Sequence, residues 1–371
     1  LNLDWEQLRG TFPHNQQEMV FRSNERLGSM ALVKRITLRT EVEKLRAEKT
    51  GVSGRKIHST TAIAANKKGV DEEPSDKKDV FGYVAVLHMD GDSMGKTIAA
   101  RQRRDEHQNI SRRLTDFAKR AKEIVQDPKY GGDTGTFVYS GGDDVLALLP
   151  LRFVLSCAME LEKEFRRIVQ ITTISGGIAI TPENLPLDMA LELSRQAESR
   201  AKDNRKKGGF GRNAVVITEA HGSGQLRYAG ANWEVIPHLL TLQKAFGVEP
   251  SDIPDLSGKL AYDLLEFDTY MFGDELSEAR KAEFKRLVGR RVREGIASKV
   301  KAALALPRNK YEDTKSTFYE SVRSIADIVY VLIDEVELKK RMTWNDATNW
   351  IMLCRFLAQG SRDAEKQKVS S

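Results

Sequence analysis

The chain has 371 residues, 40% hydrophobic and 30% charged, with a formal net charge of +6. That size and apolar content exclude a small disulfide-held scaffold and a wholly disordered chain, and they suit about two or three domains with real cores. The only cysteines, Cys157 and Cys354, sit in apolar helix-like settings; this excludes paired-cysteine zinc spacing and points to buried thiols in a reducing, cytoplasmic setting.

Residues 1–80 are polar and weakly periodic. A short helix is expected around Leu27 to Leu45, and DEEPSDKKD reads as an exposed linker. There is no signal peptide and no apolar run of membrane-spanning length, so no membrane partner is expected. The chain begins at Leu1 without an initiator Met, which suggests a piece of something longer.

From residue 81 the pattern becomes orderly. YVAVLHMD, Tyr83 to Asp90, predicts a strand. Ile110, Leu114, Phe117, Ala121 and Ile124 then recur at helical spacing. FVYSGGDDVLALLP, Phe137 to Pro150, predicts a hairpin, with Asp143 and Asp144 at its tip. A helix follows over Phe153 to Val169, then a strand, ITTISGGIAI, whose Gly176 and Gly177 mark a bulge or a close backbone approach. A further helix from about Leu187 and a strand at NAVVI complete the block. Strand, helix, hairpin, helix, strand, helix, strand is the order of a split βαβ plan: an α+β domain over 81–220, with an antiparallel sheet and helices on one face.

After residue 221 the signal is helical. Phe284, Val288, Val292 and Ile296 recur every four residues, and Phe318, Val322, Ile325, Val329 and Leu332 step by four and three. Ala347, Ile351, Cys354 and Ala358 mark a last helix. An all-helical domain over 221–371 is expected, ending in a disordered SRDAEKQKVSS tail.

The chemistry concentrates at MDGDSMGKT and SGGDD. In the split βαβ plan the first strand lies beside the hairpin, which brings Asp90 close to Asp143 and Asp144. Three carboxylates on neighbouring strand ends can hold two Mg²⁺ ions, one activating a hydroxyl and one stabilising a leaving phosphate oxygen. Helix capping is the competing reading for Asp92, and ordinary turn chemistry for the hairpin aspartates. Gly95-Lys96-Thr97 is not a P-loop, because that motif needs Gly five positions before Gly95 and Asp90 stands there. Asp90-Gly91-Asp92 is not a calcium loop, because its fifth position is Met94. What remains is a short turn feeding a helix N-terminus, suited to a triphosphate. The modest basic excess suits a nucleotide or nucleic-acid partner, and Lys202, Arg205, Lys206, Lys207 and Arg212 cluster around a Gly-rich loop.

The SGGDD hairpin, the MDGDSMG strand end and the SGGIAI, ALELSRQAESRAK and RNAVV run resemble, in that order, the ferredoxin-like palm of nucleotidyl cyclases and polymerases. They most resemble the second palm of the large subunit of type III CRISPR effectors, the Cas-ten family in its Cmr form. The resemblance implies a nucleotidyltransferase that turns ATP into cyclic oligoadenylate when its complex holds target RNA. It implies Asp90, Asp143 and Asp144 as ligands for two Mg²⁺ or Mn²⁺ ions, with Asp143 and Asp144 as the catalytic pair. Gly91, Asp92, Ser93 and Met94 would line the triphosphate through backbone N–H groups. Ser140, Gly141 and Gly142 would lie against the nucleotide, and Lys202 and Arg212 would touch phosphates. The implied partners are other effector subunits, guide RNA and target RNA.

The sequence also departs from that family. SNERLGSMALVKR, Ser23 to Arg35, resembles its zinc knuckle, yet residues 1–80 contain no cysteine, so no zinc is expected. No HD pair and no first palm are found, so no nuclease activity is expected from this chain. The hairpin ends in Asp144 and Val145 where diguanylate cyclases carry GGDEF or GGEEF, which favours ATP over GTP. A catalytically silent palm holding RNA and smaller subunits, and a stand-alone cyclase, are the competing expectations.

Overall fold

The computed structural model describes residues 60–64, 82–204, 208–221, 224–248, 251–270 and 277–370. The helix expected over Leu27 to Leu45, the knuckle-like segment, the DEEPSDKKD linker and the basic residues Arg205, Lys206 and Lys207 lie outside the described residues.

The elements run in chain order from a short helix α1 (Thr60–Ala64) to strand β1 (Tyr83–Gly91), helices α2 (Met94–Ala99) and α3 (Arg104–Gln126), the hairpin β2 (Thr136–Gly141) and β3 (Asp144–Leu149), and helix α4 (Leu151–Ile168). Strand β4 (Ile174–Pro182), helix α5 (Leu187–Lys202), and strands β5 (Ala214–Ala220) and β6 (Leu226–Asn232) complete the sheet region. The helical region holds α6 (Ile236–Ala245), α7 (Lys259–Tyr270), α8 (Ser277–Arg291), α9 (Glu294–Ala305), α10 (Arg308–Thr314), α11 (Glu320–Ile333) and α12 (Trp344–Ser370).

The six strands lie in the order β2-β3-β1-β4-β5-β6. The class is α+β with a helical C-terminal region, as the alternation of periods implies. Three details differ from expectation. The sheet is mixed, because β4 and β5 run parallel while the other neighbours are antiparallel. It extends past residue 220 through β6, whose small residues, LRYAGAN, give little apolar contrast. Helices also cover both faces. Ala85, Leu87 and Met89 of β1 pack with Phe117 and Ala121 of α3 and Leu155 and Phe165 of α4, whereas Val84 and Val86 pack with Ala190 of α5 and Ile63 of α1. Alternation along β1 is therefore apolar on both sides, as a central strand requires.

In the helical region the every-four run through Phe284 and Ile296 is broken. Helix α8 stops at Arg291, and Val292 forms a lone bridge with Leu256 before α9 begins. At the other end α12 continues to Ser370 where a disordered tail was expected; its Ala, Glu, Lys and Gln residues are good helix formers and nothing there stops the helix.

The two glycines of β4 do different work. A Cβ on Gly177 would fall on Ser194 O and Glu198 N of the α5 backbone, so only glycine lets that helix lie against the strand. Gly176 faces the other way, and a Cβ there would meet Met89 and Trp233 side chains at 3.4 Å. Close approach, not a bulge, explains Gly177. Gly177→Ala is expected to cost about 3 kcal/mol by overpacking against a helix backbone, and Gly176→Ala under about 1.5 kcal/mol. Urea unfolding of both variants checks this, and equal losses would refute it.

Candidate active site

The β2–β3 hairpin closes on two residues. Gly141 pairs with Asp144, leaving Gly142 and Asp143 as the turn. Gly142 has φ 85°, the left-handed value that a first turn residue of this hairpin type needs. On the other side of β3, Met89 of β1 pairs with Val145. One step further along that register sets Asp90 opposite Asp144, and the two carboxyls share a hydrogen bond. Asp143 completes the trio from the turn; a Cβ on Gly91 would lie 2.9 Å from the Asp143 side chain.

The electrostatics follow from this crowding. Burial, the hydrogen bond to Asp90 and the charges of Asp90 and Asp143 push the Asp144 carboxyl up to about 7. Burial, reinforced by the Asp90 charge, also raises Asp143. Burial opposes ionisation of Asp90 too, but hydrogen bonds from Asp144 and Lys202 outweigh it and hold Asp90 below its ordinary value. Asp90 is thus the carboxylate that stays ionised, and Asp144 is the one that keeps a proton near neutrality.

Lys202, in the last turn of α5, is the cation inside the cluster. Its Nζ donates to Asp90 Oδ2, lies 3.5 Å from Gly91 O and pairs with Glu198 Oε1 at 2.6 Å. Burial disfavours its charge, but the two carboxylates more than restore it, so it remains an ammonium. Glu198, one turn earlier on α5, was missed in the sequence, although its i,i+4 spacing to Lys202 is the signal that finds it.

Asp92 was expected to offer a backbone N–H to a triphosphate, or to cap a helix. It does neither. Its N–H donates to Thr173 O at 2.8 Å, and the buried side chain makes no cap bond. The carboxylate instead accepts from Thr173 Oγ1 at 2.6 Å, Ser175 Oγ at 2.8 Å and the Asn213 N–H at 3.0 Å. It clamps the turn after β1 to the starts of β4 and β5. Thr173, Ser175 and Asn213 were missed; polar residues at the head of the otherwise apolar ITTISGGIAI are their trace in the sequence.

The remaining expected residues divide. Gly91 ends β1 in register with Ile174, so its backbone belongs to the sheet ladder. Ser93 is left-handed, φ 54°, and its carbonyl accepts the first helical N–H, from Thr97, at 3.0 Å. The N–H groups of Ser93 and Met94 precede that bond, while the Met94 side chain is buried. Ser140 pairs with Val145, a residue of the core on the α3–α4 side, so its hydroxyl points away from the face that carries Asp144. Arg212 is exposed, with φ 75°, just before β5; its N–H donates to Ala201 O at 2.9 Å, which fixes its backbone next to the end of α5.

Oxygen donors of this kind suit a hard divalent cation. The donor set fits by chemistry: crowded carboxylates with raised proton affinity are groups whose charge a cation relieves. Among the described residues no three potential ligands are already gathered at metal-binding spacing, and Lys202 holds the position beside Asp90.

Residues 83–213 match the family model described as Cas10/Cmr2, second palm domain. This segment is similar to the second palm domain of that family. The resemblance read from SGGDD and MDGDSMG therefore holds over the stretch that carries both. The chain is 29% identical over 215 residues to the CRISPR system Cmr subunit Cmr2 of Pyrococcus furiosus, covering 46% of this chain and 24% of that protein. It is 24% identical over 161 residues to the single-strand-specific deoxyribonuclease Cas10/Csm1 (subtype III-A) of Streptococcus thermophilus, covering 40% of this chain and 19% of that protein. The matched part thus spans about a quarter or less of these relatives. Among solved structures, the chain is similar to one in a type III-B Cmr-beta complex in its apo state, at TM-score 0.47 and 13% identity, over 75% of this chain and 48% of that one. It is also similar to one in a Csm1-Csm4 cassette in complex with pppApA, at TM-score 0.44 and 14% identity, over 73% and 37%. Among the described residues of the palm and the helical region, no helix is long and apolar enough to cross a membrane.

Two expected outcomes follow from the palm geometry. Asp92→Asn leaves two hydroxyls and one N–H competing for a poorer acceptor, and is expected to lower stability by about 2 kcal/mol, measured by urea unfolding. For Asp144 the folded pKa lies above the value of an unfolded aspartate, so in metal-free buffer its ionisation removes stability as pH rises from about 4 to about 7. Asp144→Asn cannot ionise. The variant is expected to gain melting temperature over wild type at pH 8 but not at pH 4.5, and a gain of the same size at both pH values would refute the assignment.

Proposed function

We propose that this palm is a nucleotidyltransferase site that joins ATP into cyclic oligoadenylate within a type III CRISPR effector complex. The observation that carries the reading is the β1–β3 register that sets Asp90 opposite Asp144, with Asp143 beside them and the Lys202 ammonium paired with Asp90. Such a cluster costs stability unless it has charged work to do.

Asp90, Asp143 and Asp144 would hold Mg²⁺ or Mn²⁺, which when bound lowers the pKa of an attacking hydroxyl and neutralises charge on the leaving phosphate oxygens. The reaction is attack of a ribose 3′-oxygen on the α-phosphorus of a second ATP, breaking the bond to the β-phosphate oxygen and releasing pyrophosphate. Asp144 must give up its proton before it can serve as a ligand. Lys202 holds both Asp90 and Glu198 on one flexible stem, and would turn from Asp90 toward a phosphate while keeping Glu198. Arg212 stands at the same end of α5 as a second phosphate contact. The Ser93 and Met94 N–H groups are the backbone donors on the turn, and Gly142, where a Cβ would meet only Leu114 at 3.8 Å, leaves the hairpin tip open to a nucleotide. The proposed partners are other effector subunits, guide RNA and target RNA, and the proposed setting is the cytoplasm.

One observation favours a second reading. Lys202 already pairs with Asp90, so the position beside that carboxylate is filled without a metal ion, as a silent scaffold palm would allow. Incubation with labelled ATP or GTP and Mg²⁺ or Mn²⁺, alone and in the assembled complex with target RNA, separates the two. ATP is expected to give labelled oligomers, and the Asp143→Ala/Asp144→Ala double variant to lower product at least about 100-fold while still assembling. Assembly without product from the wild-type protein under every condition would establish the scaffold.

A further inference from the structure

Strand β2 is the sheet edge and breaks register between Phe137 and Tyr139. Phe137 pairs with Ala147, and both belong to the core on the α3–α4 face. Simple alternation would put Tyr139 on that same face. The irregularity at Val138 shifts the pattern, so Tyr139 pairs with Leu146 and Gly141 with Asp144. Directly opposed residues share a face, so Tyr139 and Gly141 lie on the face that carries Asp144.

The ring also points toward the carboxylates along the strand. The Tyr139 hydroxyl and the adjoining ring carbon occupy the space that a Cβ on Gly141 would need. Gly141 is thus the residue that leaves room for the hydroxyl end of the ring on the side of Asp144. Despite that close fit, Tyr139 is 50% exposed. A half-exposed aromatic lying over a backbone glycine beside a charged cluster is suited to stack a planar ligand.

We propose that Tyr139 is the aromatic shelf on which the base of a bound nucleoside triphosphate stacks. This rests on the nucleotidyl-transfer reading: the phosphates belong at the carboxylates and Lys202, and the base extends along β2. Tyr139 is a positioning residue, setting where the ribose hydroxyl sits relative to Asp144, and it takes no part in bond making.

The test uses the full chain with Mg²⁺ and 2-aminopurine riboside triphosphate, whose fluorescence is quenched on stacking, with inorganic tripolyphosphate as a competitor that has no base. Wild type, Tyr139→Phe and Tyr139→Trp are expected to bind with quenching. Tyr139→Ala is expected to lose the quenching and bind about tenfold more weakly, while its affinity for tripolyphosphate and its melting temperature match wild type. Unchanged affinity and quenching in Tyr139→Ala would overturn the proposal, whatever that variant does to assembly. Equal weakening toward tripolyphosphate would also overturn it, because Tyr139 would then act through the fold. If wild type binds tripolyphosphate without quenching the base analogue, only the shelf fails. If it binds neither, the nucleotide reading fails and the shelf with it.

Discussion

Like-charge repulsion at the end of β1 is the constraint around which this domain is arranged. Water would separate Asp90, Asp143 and Asp144, whereas the sheet holds them together. Strand β1 has neighbours on both sides, pairing with β3 from Ala85 to Met89 and with β4 from Tyr83 to Gly91. A strand so held cannot slip by one residue without turning Ala85, Leu87 and Met89 out of one core and Val84 and Val86 out of the other. The register that buries those side chains is the register that sets Asp90 opposite Asp144. Apolar packing on both faces thus supplies the stability that the carboxylates remove.

The compensating charge depends on a residue without a side chain. Lys202 reaches Asp90 because α5 lies directly on β4, and α5 lies there because Gly177 presents no Cβ to Ser194 and Glu198. Glu198, on the same helix, holds the other side of the ammonium. The carboxylate, cation and carboxylate sequence from Asp90 through Lys202 to Glu198 is a ladder that crosses from strand to helix. Asp92 acts beside it on the backbone: by binding Thr173, Ser175 and Asn213 it fixes three segments far apart in sequence around one turn. The left-handed Arg212 and Asn213 fall where the chain must bend to bring that N–H to Asp92.

What the sequence made legible was local. Gly142 and the apolar runs on either side of SGGDD specify a hairpin, and period-2 and period-3.6 patterns place most of the strands and helices. What it hid was pairing at a distance. Lys202 reads as one basic residue among several, because its partner is 112 positions away. Asp92 reads as a cap, because an aspartate after a strand and before a helix has the same local signature whether it caps or clamps. Helix α5 was visible as a helix, but its own period does not say which face of a sheet it covers. Strand β6 was invisible because Ala229, Gly230 and Ala231 are buried through smallness, not apolar bulk; a Cβ on Gly230 would strike the Phe210 ring.

The helical region and the carboxylates lie on opposite sides of the sheet. Trp350 Nε1 of α12 donates to Gly230 O and Asn349 donates to Tyr228 O, both at the β6 edge, while Phe356 meets Tyr83 edge-on with ring centroids 5.1 Å apart. These contacts join the core formed by the odd-numbered β1 residues, on the face away from α5. Among the described residues, neither Asp90 nor Lys202 belongs to that core. The two faces meet through the strands themselves: Met89 on the helical-core side precedes Asp90 on the other, and Ile174 precedes Ser175, which holds Asp92. The Asp90–Lys202 ion pair and the Asp92 clamp therefore both depend on how β1 is seated against β4.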